Sequence, residues 1–214
     1  MTASSVASLA SRRSPSQSRS VVTVSAIFEA SVQVLLKEGM HRLTTTRVAE
    51  RAGVSVGTLY QYYPNKLALL NAVLERHLDG VAQAVEEAAR KVHGKPLPTM
   101  VEAVVHAFVR AKVEREDEAR ALYAVAAELG GSALVLQASQ RVGGALAQML
   151  ATATDAQFND LEVVAYMFAT AMIGPTKGVL EEQAPRKLTR MLRSQLVSLC
   201  LGYLEREAGF GKRT

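Results

Sequence analysis

The chain has 214 residues, about half of them hydrophobic, a net charge of +5 and one cysteine, Cys200. That length can bury a substantial core in one or two domains. The lone cysteine excludes an internal disulfide, and no apolar run approaches the roughly 20 residues that span a bilayer. No apolar segment follows the N-terminal arginines, so no secretory signal and no membrane partner is expected, and the expected location is cytoplasmic.

The charge is unevenly placed. Residues 1–66 hold eight Lys/Arg against three Glu, and the remainder is neutral with equal numbers of each sign. A basic end on a neutral body is the distribution expected of a nucleic-acid-binding segment. Residues 1–20 are serine-rich with scattered arginine, and cannot bury enough surface to offset their ordering entropy. Disorder is expected there, either as a basic arm that follows phosphates or a minor groove or as an untethered tail.

From about Ser20 to Glu38, Val24, Ile27, Phe28, Ser31, Val34 and Leu35 recur at helical spacing before Gly39, which predicts a first helix. Phe28 and Leu35, joined by Leu43, are expected beneath the next two helices. The second begins at a threonine cap near Thr44, carries Val48, Ala49 and Ala52 inward, and stops at Gly53, which tolerates the left-handed conformation. Ser55 caps the third, which runs through Leu59, Tyr60 and Tyr63. Small Ala49, turn-forming Gly53 and anchoring Leu59 suit a helix-turn-helix.

The third helix presents Val56, Gly57, Thr58, Tyr60, Gln61 and Tyr62 outward near its N-terminus, the end that enters a major groove in such motifs. Hydroxyl groups, Lys66 and the helix N-terminus suit phosphate oxygens. Val56, the Tyr60 ring and Gly57 suit close approach to base edges and thymine methyl groups.

The block TTTRVAERAGVSVGTLYQYYPNKLALLNAVLE resembles the DNA-binding domain of the TetR family of bacterial transcriptional regulators, over roughly residues 22 to 80. The resemblance implies an all-α homodimer in which three N-terminal helices bind DNA and a larger C-terminal helical domain dimerises and often holds an effector. By matched position it implies phosphate contacts from Thr44, Thr46, Thr58, Tyr62, Tyr63 and Lys66, with Val56, Gly57, Tyr60 and Gln61 nearest the bases. The expected organisation is an arm at 1–20, a DNA-binding domain at 21–66, a connecting helix at 67–92, and an effector-binding and dimerisation domain at 93–214.

Leu67, Leu70, Val73, Leu74, His77, Leu78 and Val81 form the apolar stripe of that connecting helix. His77 reads as a core or interface histidine rather than a metal ligand, because no second ligand stands at useful spacing. HGKPLPT at 93–99 reads as a loop and domain boundary. Helices are predicted at about 98–115, 117–129, 132–153, 158–181 and 185–207, with Gly174-Pro175 expected to kink or break the fourth.

Methionine and tyrosine in this region suit either a pocket for a small apolar or aromatic effector or ordinary core packing. His106, Phe108, Tyr123, Gln148, Met149, Tyr166 and Met167 are the effector candidates. Val163, Tyr166, Met167, Thr170 and Ala171, with Leu192, Leu196, Leu199 and Leu204, suit either pairing with symmetry mates or a monomeric core. No metal-ligand cluster, phosphate-cradling glycine loop or nucleophile motif is evident, so neither a cofactor nor catalysis is expected. The sequence therefore reads as a repressor that binds a palindromic double-stranded DNA operator as a homodimer until an effector releases it. The alternative is a DNA-binding regulator whose body only dimerises or binds a protein.

Overall fold

The computed structural model describes residues 15–113, 116–129, 133–181 and 183–210, with side chains described between Ser20 and Ala208. Among these residues the secondary structure is nine α-helices and no strand, the all-α class expected. The helices are α1 (Pro15–Glu38), α2 (Thr45–Ala52), α3 (Val56–Tyr62), α4 (Lys66–Lys91), α5 (Leu97–Val113), α6 (Glu116–Glu128), α7 (Ala133–Leu150), α8 (Leu161–Leu180) and α9 (Arg186–Phe210), with a short 3-10 turn at Met40–Arg42. Two compact units divide the chain, Met1–Leu69 and Leu70–Thr214.

In the first unit α1 packs on α2, and α2 on α3. Ile27, Phe28, Leu35, Leu43, Val48, Ala49 and Leu59 are buried, as the helical spacing demands. Ser31 is accommodated in that apolar stripe because its hydroxyl donates to the Ile27 carbonyl at 2.8 Å. Helix α1 starts at Pro15, inside the stretch expected to be disordered. Proline's fixed φ suits a first helical turn, where its missing N–H costs nothing. The expected arm at residues 1–14 lies outside the described residues.

In the second unit α8 packs on α7 and α9, and α5 packs on α9. Their shared core includes Met100, Val104, Phe108, Leu146, Met149, Phe168, Met172, Leu192, Leu196 and Leu204. The loop before α5 is pinned to the segment after α7: the Gly94 N–H donates to Thr152 Oγ1 at 2.9 Å and the Leu97 N–H to Asp155 Oδ1 at 2.7 Å. Arg141 on α7 ties back to α4 through Glu86, at 3.0 and 3.1 Å, and Asp79.

Two further expectations change. Helix α8 runs unbroken through Pro175 to Leu180, because packing on both α7 and α9 outweighs the one backbone hydrogen bond that proline removes. Helix α8 and the Ser20–Glu38 part of α1 are also long and apolar enough to cross a bilayer by length and composition. Counting uninterrupted apolar runs misses this, since alanine, threonine and serine punctuate both helices. Each packs on neighbouring helices within its own unit, which is how core helices meet the same test.

Candidate nucleic-acid interface

The geometry of the interface begins with three caps. Thr44 has extended backbone and its hydroxyl accepts from the Arg47 N–H at 3.3 Å, opening α2. Gly53 closes α2 at φ 68, ψ 30; its N–H donates to the Ala49 and Glu50 carbonyls, and the Val54 N–H donates to the Ala49 carbonyl at 3.0 Å. This paired closure satisfies the last carbonyls of α2 and reverses the chain within two residues. Ser55 opens α3, its hydroxyl accepting from the Thr58 N–H at 2.9 Å and lying 2.8 Å from Thr58 Oγ1.

Leu59 is fully buried and fixes the rotation of α3. That rotation leaves Gly57, Tyr60 and Gln61 exposed and Val56, Thr58, Tyr62 and Tyr63 half-buried. Tyr60 keeps 47% of its surface exposed, yet its hydroxyl lies 3.1 Å from that of Thr45 on α2. A large aromatic side chain is thus held in place while still facing solvent. Tyr62 and Tyr63 stack at a tilt of 42°, with ring centres 6.4 Å apart.

Around this face, Thr44, Thr46 and Lys66 are exposed. The Lys66 ammonium donates to the Met40 carbonyl at 3.3 Å, which holds it beside the 3-10 turn. Thr45, Arg47 and Arg51 lie outside the expected set of contact residues. Thr45 steers Tyr60; Arg47 pairs with Glu38 and donates to the Arg42 carbonyl, while Arg51 Nε donates to Gln33 at 2.7 Å. Both arginines brace the unit, so their charge serves the fold as well as the surface. A buried threonine in the first turn of α2 was the available signal.

An ideal Cβ built on Gly57 would meet nothing closer than Ser55 Oγ at 3.7 Å, an ordinary contact. The fold of the free chain therefore does not require glycine there. A missing side chain on the solvent face of α3 suits close approach by another molecule.

The seven effector candidates are spread through the second unit. Phe108 and Met149 lie in the core. His106 lines an open groove of about 740 Å³ between α5 and α9, with Arg110, Arg190 and Arg193. Gln148 is exposed, as are Tyr166 at 65% and Met167 at 45%. Tyr123 is half-buried, with the Lys112 ammonium 4.9 Å from its ring centre. Of the expected pairing surface, Val163, Tyr166, Met167, Thr170 and Leu199 face solvent, whereas Leu192, Leu196 and Leu204 belong to the chain's own core. Among the described residues no cluster of three or more metal-binding side chains occurs.

A three-helix unit with capped turn, anchored second helix and outward polar face defines a helix-turn-helix DNA-binding protein. Residues 27–73 match the model of the bacterial regulatory proteins of the tetR family, and residues 96–204 match that of the tetracyclin repressor-like C-terminal domain. The chain belongs to the TetR family, one of transcriptional regulators rather than enzymes.

Over 61 residues it is 41% identical to the HTH-type transcriptional activator FasR of Mycolicibacterium smegmatis, covering 28% of each chain. Over 63 residues it is 38% identical to the repressor KstR of the same organism, covering 29% of this chain and 31% of KstR. The match thus spans about a third or less of these relatives' length. The fold is similar to that of the SmeT–triclosan complex, with TM-score 0.62 and 21% identity over 84% of this chain and 90% of that one.

Proposed function

We propose that the protein is a sequence-specific transcriptional repressor of the cytoplasm that binds a palindromic operator as a homodimer and leaves it when a small apolar or aromatic effector binds the second unit. The observation that carries this reading is the outward face of α3, where Gly57 is unoccupied though the fold has room for a side chain, beside a Tyr60 that is exposed but tethered. Val56, Gly57, Tyr60 and Gln61 meet base edges; Thr44, Thr46, Thr58, Tyr62, Tyr63 and Lys66 hold phosphates and set register.

Dimerisation is supported by a solvent-facing apolar stripe on α8. Val163, Tyr166, Met167 and Thr170 follow helical spacing and are all exposed, and Leu199 of α9 is 52% exposed. A two-fold pairing of such a surface presents two recognition helices to successive major grooves. FasR is named an activator and KstR a repressor; the repressor reading follows from effector release. Triclosan is the compound named with SmeT, a precedent in that protein for a small apolar aromatic ligand. Of the effector candidates, Phe108, Tyr123 and Met149 are the inward-facing ones.

Release requires that the effector favour one state of the dimer over another, and the shift is limited by that difference in affinity. Helix α4 is continuous across residues 69 and 70, so a change in the second unit has a covalent helical route to the first. Selection of sites from a random duplex pool tests the proposal. An enriched inverted repeat is expected; binding that is salt-sensitive but enriches no motif would overturn it.

A further inference from the structure

Lys112 is a buried charge without a counterpart among the described residues. It follows Val101, Val104, Val105, Phe108 and Val109 along the buried stripe of α5 and keeps only 7% of its surface exposed. Its ammonium faces the Tyr123 ring at 4.9 Å. Among the described residues it has neither a hydrogen-bond nor an ion-pair partner. A ring face replaces only a fraction of the hydration that an ammonium loses on burial.

The neighbouring groups do not neutralise it. His77 of α4 is lowered to about 4 by burial and then by the Lys112 charge, so it is neutral at pH 7. Tyr123 is raised to about 12 by burial and then by Glu181, so it too is neutral. Glu181, just after α8, is engaged with Lys177 at 3.7 Å. Burial brings Lys112 down to about 8 and leaves it cationic at neutral pH. The side chain is nevertheless not fully enclosed, since 7% of its surface stays exposed.

We propose that Lys112 seats the anionic group of the effector, and that the effector is an organic monocarboxylate with an apolar body. This rests on the reading of the second unit as an effector-binding domain. One ammonium flanked by a neutral imidazole and a neutral phenol matches a single negative charge. A phosphate dianion is better met by several cations or an arginine fork. The apolar body follows from the side chains that lead to Lys112, with Phe108 one turn away and the Tyr123 ring over the ammonium.

The test is calorimetric titration of the full chain with octanoate and 4-phenylbutyrate, each beside its neutral alcohol, for wild type, Lys112→Met and Lys112→Gln, with operator affinity read in parallel. The expected result is a preference for carboxylate over alcohol of roughly tenfold or more in the wild type, from the charged hydrogen bond. Both variants should lose that preference while melting no lower than the wild type, since each removes an uncompensated charge. Alcohols binding as tightly as carboxylates, unchanged preference in the variants, or no binding of either carboxylate would overturn it. Carboxylate binding that leaves operator affinity unchanged would keep the Lys112 seat and sink the effector reading. Operator release by the alcohols, equal in all three proteins, would keep the effector reading and sink the seat.

Discussion

Gly57 has space for a methyl group that it does not carry, and this separates what the fold needs from what the surface does. Gly57→Ala is expected to stabilise the folded chain by about 0.5–1 kcal/mol, the usual cost of glycine in a helix, while weakening operator binding. Thermal melting and gel-shift titration check the two halves; unchanged affinity would remove Gly57 from the base-reading face. His77 makes a prediction of the opposite kind. Its folded value of about 4 lies below the ordinary 6.5, so between those values the unfolded chain holds a proton that the folded chain does not. Stability therefore falls as pH drops from about 6.5 towards 4. Denaturation of His77→Gln across this range should show a shallower loss than the wild type; parallel curves would mean that the imidazole is not shielded as described.

At the scale of elements, the turn between α2 and α3 was legible because its chemistry is local. A threonine, a glycine at positive φ and a serine cap each carry their own signal, and each occupies the role that signal implies. Ser55→Ala should cost about 1 kcal/mol, within the usual range for an N-cap, measured by chemical denaturation; a neutral effect would show that water replaces the hydroxyl. The second unit was less legible because its positions are set by tertiary packing. Met149 and Met167 are the same residue type on adjacent helices, yet one is fully buried and the other half exposed, and composition cannot sort them. Leu192, Leu196 and Leu199 share one helical pattern, but only the last faces solvent. Pro175 carries a strong local signal for a break, and packing on two neighbouring helices overrides it. Lys112 was legible in principle as a charge in an apolar stripe, but its isolation depends on which side chains α4, α6 and α8 bring near.

For the whole molecule, the proposed homodimer places its requirement on the exposed face of α8. A Tyr166→Asp and Met167→Asp double variant should be monomeric in analytical ultracentrifugation and should bind operator at least tenfold more weakly, since each half-site would then be met singly. A dimeric double variant would move the interface elsewhere. In the proposed complex α3 reads bases while its surroundings hold the backbone. The most direct measurement is the affinity of wild type, Tyr60→Ala and Lys66→Ala for a selected operator and every single base-pair substitution of one half-site, at several salt concentrations. Tyr60→Ala is predicted to erase discrimination of about 1–3 kcal/mol at one or two positions, and Lys66→Ala to weaken all sequences alike and lower the salt slope by roughly one per half-site. Uniform weakening by both variants, with base preferences intact, would show that Tyr60 of α3 does not read bases.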